Sequence, residues 1–213
     1  MATSKEVCNK MIIKFPNQRT LNIECTRKCG TTSAFSIIAF PRVGKHKARS
    51  GKPVLKEHNE WWKTISASPY TLDTVDFNFA IVRDPVSRIV SCFKDRVMLK
   101  NNHNSRSEIQ TWDNFIYNLE YFRNKYHEIN LHSVPQCEKL GKNPSLYNNV
   151  YNTKEIGTRF IEDVSNIAEV TIPTIRTKNS DAVTVEINVT DDQVKIIEDF
   201  YSDDYKYWGD YFQ

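Results

Sequence analysis

Hydrophobic positions in the first part of this chain come in short runs whose spacing alternates between strand and helix. Met11-Ile-Ile-Lys-Phe15 reads as a short strand, and Leu21-Asn-Ile-Glu-Cys25 alternates apolar and polar like a strand entering a core. Thr32 to Phe40 then reads as a helix, ended by Pro41. Glu57 to Ser66 predicts a short helix carrying Trp61 and Trp62, and Val75 to Val82 (VDFNFAIV) a second buried strand. That strand runs straight into Arg83-Asp84-Pro85. Asp84 suits an N-cap and Pro85 the first helical turn, so a helix is expected from about Val86 to Leu99.

Further along, Thr111 to Arg123 predicts a helix around Trp112, Phe115, Ile116 and Leu119, and residues 124–150 read as irregular. Tyr147 to Tyr151 suggests a strand and Ile156 to Ile161 a short helix. Thr190-Asp-Asp-Gln193 is a capping box opening a helix with Val194, Ile197 and Tyr201 on one face. The pattern predicts an α/β fold, a central parallel sheet flanked by helices. Its two most distinctive loops, RKCGTTS (27–33) and the start of IVRDPVSRIVSCF (81–93), both follow strands, where open α/β sheets bind ligands.

Length and composition narrow the class. A chain of 213 residues with 39% hydrophobic and 26% charged residues suits one domain, 1–213, with its own core. The net charge of +3 is too small to imply nucleic-acid binding by itself. Arg42 to Lys56 nevertheless carries six basic residues and no acid, which suits either attraction of an anionic substrate or a solvated surface loop. The 5 cysteines are odd in number and unevenly spaced, unlike a disulfide framework, so a reducing, cytoplasmic setting is expected. No apolar run approaches the roughly 18 residues of a membrane span, and no secretory leader is visible. The sequon Asn188-Val-Thr190 matters only in a secretory compartment.

The two loops carry the candidate chemistry. In the first, Gly30 permits a positive φ, Thr31, Thr32 and Ser33 offer hydroxyls beside helix N-terminal amides, and Lys28 supplies a point charge. Those groups suit a tetrahedral anion; an ordinary capped strand-to-helix turn accounts for the same residues. In the second, Arg83 leaves the strand end while Arg88 and Ser91, three apart, share a helix face. They suit a second anion, or Arg83 and Arg88 pair with Asp84 and Asp95. Two such sites at neighbouring strand ends imply one ligand with two separated anionic groups.

The pair K-x-G-T-T-S and R-D-P-x-x-R-x-x-S-x-F resembles the two cofactor signatures of sulfotransferases that use 3′-phosphoadenosine 5′-phosphosulfate (PAPS). The resemblance implies a P-loop-like nucleotide-binding fold. It implies that Arg27, Lys28, Cys29, Gly30, Thr31, Thr32 and Ser33 hold the 5′-phosphosulfate, and Arg83, Arg88 and Ser91 the 3′-phosphate. His132-Ser-Val-Pro-Gln136, Thr177-Lys-Asn-Ser180 and the C-terminal VTDDQVKIIEDFYSDDYKYWGD are similar to segments of the carbohydrate branch, which includes chondroitin and HNK-1-type enzymes. A glycan acceptor is therefore expected. The chain lacks that branch's N-terminal membrane anchor and its usual cysteine pattern, which points to a cytosolic version.

Sulfuryl transfer needs a cation at the bridging oxygen, for which Lys28 is the candidate, and a base near the acceptor hydroxyl. The family places that base near Lys56-Glu57-His58, so His58 and then Glu57 are the candidates, with His132 a third. Trp61 and Trp62 suit either a flat sugar-binding face or partly buried core. No metal is required and no ligand cluster is evident. Two other readings remain. A nucleotide or small-molecule kinase would need a lysine beside Ser/Thr and a magnesium carboxylate. A non-catalytic anion- or nucleic-acid-binding module would rest on the basic 42–56 loop.

Overall fold

The computed structural model describes residues 9–43, 74–99, 108–109, 111–174 and 185–213. Among them, four strands form one sheet in the order β1-β2-β3-β4: β1 (Asn9–Lys14), β2 (Thr20–Cys25), β3 (Phe77–Val82) and β4 (Asn149–Asn152). β2, β3 and β4 are parallel, with Cys25 opposite Ile81 and Ile81 opposite Tyr151. The expectation of a parallel sheet is corrected at β1, which pairs antiparallel with β2. The reason is the short link, in which Phe15 and Arg19 close a turn through a 2.8 Å hydrogen bond and Gln18 takes φ 71°. A link that short can make a hairpin but not a crossover.

Each sheet face buries a different core. Leu21, Ile23, Cys25, Phe79, Ile81 and Tyr151 pack under α1 (Thr31–Val43) and α7 (Arg159–Ala168), whose Ile37, Ile38, Phe160 and Val164 fill the same cluster. On the opposite face Ala80, Val82 and Val150 meet Cys137, Leu140, Trp208 and Phe212. The polar members of the β2 alternation, Asn22 and Glu24, are therefore buried too. Each finds a partner: the Asn22 Nδ2 donates to Asn78 Oδ1, and the Tyr147 hydroxyl, just before β4, donates to Glu24 at 3.0 Å.

A helical layer completes the described structure. α2 (Pro85–Phe93) continues without a break into a π turn (Lys94–Met98), followed by α3 (Trp112–Tyr117), α4 (Leu119–Lys125), α5 (His127–Ser133) and α6 (Cys137–Leu140). α8 (Asp191–Phe200) and α9 (Ser202–Trp208) close the chain. Several expected boundaries move for identifiable reasons. Pro41 lies inside α1, which runs two residues past it; proline keeps helical φ and forfeits only one backbone bond. The single helix expected over 111–123 is two, because Asn118 leaves helical ψ and its Nδ2 donates back to the Asn114 carbonyl at 3.0 Å.

The stretch 124–150, expected to be irregular, holds α5 and α6. Their ends are satisfied from far along the chain: the Tyr201 hydroxyl donates to the Ser133 carbonyl at 2.6 Å, and Asp204 accepts the amides of Gln136 and Cys137 at 2.8 and 2.7 Å. The later strand falls at Asn149–Asn152 and the later helix at Arg159–Ala168, both shifted towards the C-terminus. The capping box is confirmed: Thr190 accepts from the Gln193 amide and Gln193 from the Thr190 amide.

Candidate active site

RKCGTTS follows β2, which ends at Cys25, and runs into the start of α1 at Thr31. Lys28 and Gly30 both have positive φ, 69° and 68°, so the chain folds tightly enough to turn the strand end into the helix. For Gly30 this is the left-handed region that a side chain disfavours, and an added Cβ would lie 2.3 Å from the Cδ1 of Ile156. The Gly30 carbonyl accepts the amides of Ser33 and Ala34 at 2.9 and 3.0 Å, which starts the helix. Amides of the turn before that have no intrahelical partner and present the positive end of the α1 dipole. Thr32 is exposed there and Ser33 half-buried. The Thr31 hydroxyl turns inward instead, donating to the Thr26 carbonyl at 3.3 Å. Cys29 is fully buried, its Sγ 3.1 Å from the Thr26 hydroxyl and 3.2 Å from Gln136 Oε1, and burial pushes its thiol above the ordinary range. Its side chain faces the core, so only its backbone borders the loop's mouth.

The second loop is bolted to the first. Asp84 caps α2 by accepting the Ser87 amide at 2.8 Å, with Pro85 at the first helical position as expected. Arg83 donates through Nε to Ser87 Oγ at 3.1 Å and through Nη1 to the Lys28 carbonyl at 3.1 Å. Arg88 is only 1% exposed; its Nε donates to the Arg27 carbonyl at 3.2 Å and its Nη2 to the Val134 carbonyl. Neither arginine forms an ion pair with Asp84 or Asp95. Arg88 thus joins both loops to the H-x-x-P-Q segment from behind. Two polar atoms in this wall, Arg88 Nη1 and Ser91 Oγ, are buried without a hydrogen-bond partner among the described residues. Orphaned buried donors are costly, and both suit an anion.

A charged network runs from the first loop into the π turn. Lys28 Nζ lies 3.1 Å from Asp95 Oδ2, the same oxygen that Arg96 Nε approaches at 3.1 Å. Arg96 also reaches Glu128 at 3.3 Å and donates to His132 Nε2 at 2.6 Å. His132 Nδ1 lies 2.6 Å from the Glu128 carbonyl, to which it donates. Burial, reinforced by the Arg96 guanidinium, pulls the His132 imidazole down to about 3, so the ring is neutral. Both nitrogens are engaged and the residue is 3% exposed, so in this structure the ring serves as a partner of Arg96.

The remaining candidates divide cleanly. Glu57, His58, Trp61, Trp62 and Thr177 to Ser180 lie outside the described residues, as do residues 44–56 of the basic stretch. Sequence reasoning missed Gln136 as a side chain with a job. Its Oε1 accepts the Arg83 amide at 3.0 Å and its Nε2 returns a 2.8 Å bond to the Arg83 carbonyl, so one amide fixes the β3 end. Asp204, fully buried, fixes Gln136 in turn. Only the H-x-x-P-Q pattern hinted at this. Among the described residues there is no group of three His, Cys, Asp or Glu placed to hold a metal ion, and no helix long and apolar enough to cross a membrane.

Fold and site together define an α/β protein with a mostly parallel sheet, whose two adjacent strand ends carry linked loops rich in cations, amides and hydroxyls. A family model described as the sulfotransferase family matches residues 26–211, from the first loop to the last turn, and the chain belongs to that family. No curated protein and no solved structure matches it. Membership makes sulfuryl transfer the general chemistry and the protein a transferase acting on an acceptor.

Proposed function

We propose that the protein moves a sulfuryl group from PAPS to a hydroxyl of a carbohydrate, releasing adenosine 3′,5′-bisphosphate. One observation carries this reading: the two anion-suited loops are tied together at neighbouring parallel strand ends, Arg83 Nη1 to the Lys28 carbonyl and Arg88 Nε to the Arg27 carbonyl. A ligand with two separated anionic groups matches that arrangement. The P-loop-like cradle after β2, with Lys28, the amides of Gly30 to Ser33 and the hydroxyls of Thr32 and Ser33, takes the 5′-phosphosulfate; Arg83, Arg88 and Ser91 take the 3′-phosphate, the last two through the buried Nη1 and Oγ.

The donor supplies an electron-poor sulfuryl group on a phosphate leaving group. Lys28 and the first amides of α1 stabilise the negative charge that gathers at the bridging oxygen, an effect that fixed donors supply without reorganisation. His58 or Glu57 takes the acceptor proton. No step asks for a metal. The glycan acceptor rests on the likeness of the 132–136, 177–180 and C-terminal segments to the carbohydrate branch. The four described cysteines are free and buried, which favours a reducing, cytoplasmic setting.

Thermal unfolding with adenosine 3′,5′-bisphosphate, ATP plus magnesium, and AMP tests the reading. At a hundredfold excess over its Kd the bisphosphate is expected to add about 2.7 kcal/mol of stability, with the other two adding less. A larger shift with ATP and magnesium would sink the sulfotransferase donor assignment in favour of a kinase. Strong, steeply salt-dependent polynucleotide binding without a bisphosphate shift would favour the binding-module alternative.

A further inference from the structure

We infer that Asp95 is the positioning residue of Lys28: its carboxylate holds the ammonium at the edge of the first loop and so aims the N–H groups that face the donor. The inference rests on the donor-binding reading above. Lys28 and Asp95 are 67 residues apart in sequence, their side chains are only 13% and 22% exposed, and their contact is 3.1 Å. Such a pair is shielded from the screening that makes surface ion pairs weak.

Asp95 is itself held. Neighbouring residues of an ordinary helix do not face one another. Asp95 and Arg96 nevertheless lie in ion-pair contact at 3.1 Å, within a π turn in which the Leu99 amide reaches back to the Lys94 carbonyl at 3.0 Å. Turns of this kind recur at functional sites. Arg96 is then anchored on α5 through Glu128 and His132. The result is a rigid buttress, running from α5 through Arg96 to Asp95, with Lys28 at its tip.

Burial pushes the Asp95 carboxyl up, but Lys28 and Arg96 outweigh it and hold the group below the ordinary carboxylate range, so it is ionised at neutral pH. A carboxylate between two cations is a poor proton acceptor, which removes Asp95 as the acceptor base. Its effect is on Lys28. An ammonium has three N–H donors. With one of them on Asp95, the other two are fixed in direction, which turns a flexible four-carbon side chain into an oriented charge. The same carboxylate repels an anion in the loop, so ground-state binding does not benefit from it. Asp95 therefore acts on turnover and not on donor affinity.

The test is a double-mutant cycle on the full chain, with sulfate transfer to an acceptor sugar as one readout. Asp95→Asn is expected to lower kcat about tenfold with the donor KM unchanged or lower, while adding Asp95→Asn to Lys28→Met changes kcat less than twofold. A tenfold loss that persists in the Lys28→Met background overturns the inference, because Asp95 then acts elsewhere. Full activity of Lys28→Met alone overturns the role of Lys28 in transfer, a separate failure. A second readout needs no activity: acetic anhydride labelling followed by peptide mass spectrometry. Lys28 should react several times faster in Asp95→Asn than in the wild type, with Lys125, which is paired with Glu108, as the unchanged reference. Equal Lys28 reactivity overturns the pairing. Asp95→Glu keeps the charge and supports the same comparison if the asparagine variant does not fold; its kcat should fall while its Lys28 stays protected, and a Lys28 as reactive as that of free lysine in this variant would count against the buttress.

Discussion

His132 shows how far a residue's type can stand from its use. By type it qualifies as a base, yet its two nitrogens serve Arg96 and the Glu128 carbonyl, and burial keeps it neutral down to about 3. The unfolded chain offers the same imidazole a proton near its ordinary 6.5. As pH falls below that value the unfolded state binds the proton and the folded state does not. Stability from this residue is therefore full above about 6.5 and is lost as pH falls towards 3, by about 2 kcal/mol at pH 5. Urea unfolding at pH 7 and pH 5 should show that loss, and His132→Asn, which retains an N–H for the Glu128 carbonyl, should reduce it. A pH response unchanged in the variant would assign the acid sensitivity to other groups. Arg88 makes the same point: its place in R-D-P-x-x-R is visible in the sequence, but its inward direction is not.

Among the elements, α8 was the most legible. Thr190 and Gln193 form the expected capping box, and the apolar face of Ile197 and Tyr201 meets the helical core. What the motif could not show is that Gln193 also accepts from Trp112 Nε1 at 2.8 Å and donates to Asp113 at 2.6 Å. The two capping residues should therefore differ in cost. Thr190→Ala is expected to cost about 1 kcal/mol, as a lost cap. Gln193→Ala should cost about 2 kcal/mol or more, because it also leaves a buried indole N–H unpaired. Chemical denaturation of the two variants makes the comparison, and equal losses would mean that the Trp112 contact contributes nothing. The π turn after α2 was not legible at all, since KDRVM has the composition of ordinary helix.

For the molecule as a whole, the C-terminal helices are tied to the strand ends through one buried carboxylate. Asp204 receives the amides of Gln136 and Cys137, and Gln136 holds the backbone of Arg83 and the thiol of Cys29. Asp204→Ala would leave two buried amides without an acceptor and free Gln136 to turn. The expected cost is about 3 kcal/mol, since hydrogen bonds to a charged group are lost and buried donors are exposed as orphans. Adenosine 3′,5′-bisphosphate should also bind more weakly, as judged by calorimetry at a temperature where the variant is folded. Undiminished affinity would show that the loops keep their places without the C-terminal clamp.

By itself the sequence determined the order of strand, loop and helix around RKCGTTS and IVRDPVSRIVSCF, the Asp84 and Thr190 caps, and the residue types gathered at the strand ends. Those features depend on near neighbours, and local periodicity and capping report them directly. Tertiary structure alone decided the antiparallel seat of β1, the helices within 124–150, the inward turn of Arg88 and His132, and the carboxylate that Lys28 meets. Each of these is a choice of partner for a polar or apolar group made by a distant segment. Lys28 finds Asp95 at a separation of 67 residues, Arg88 finds Val134 at 46 and Gln136 finds Asp204 at 68. A buried donor must take whichever acceptor the packed fold brings to it, and no local pattern contains that acceptor.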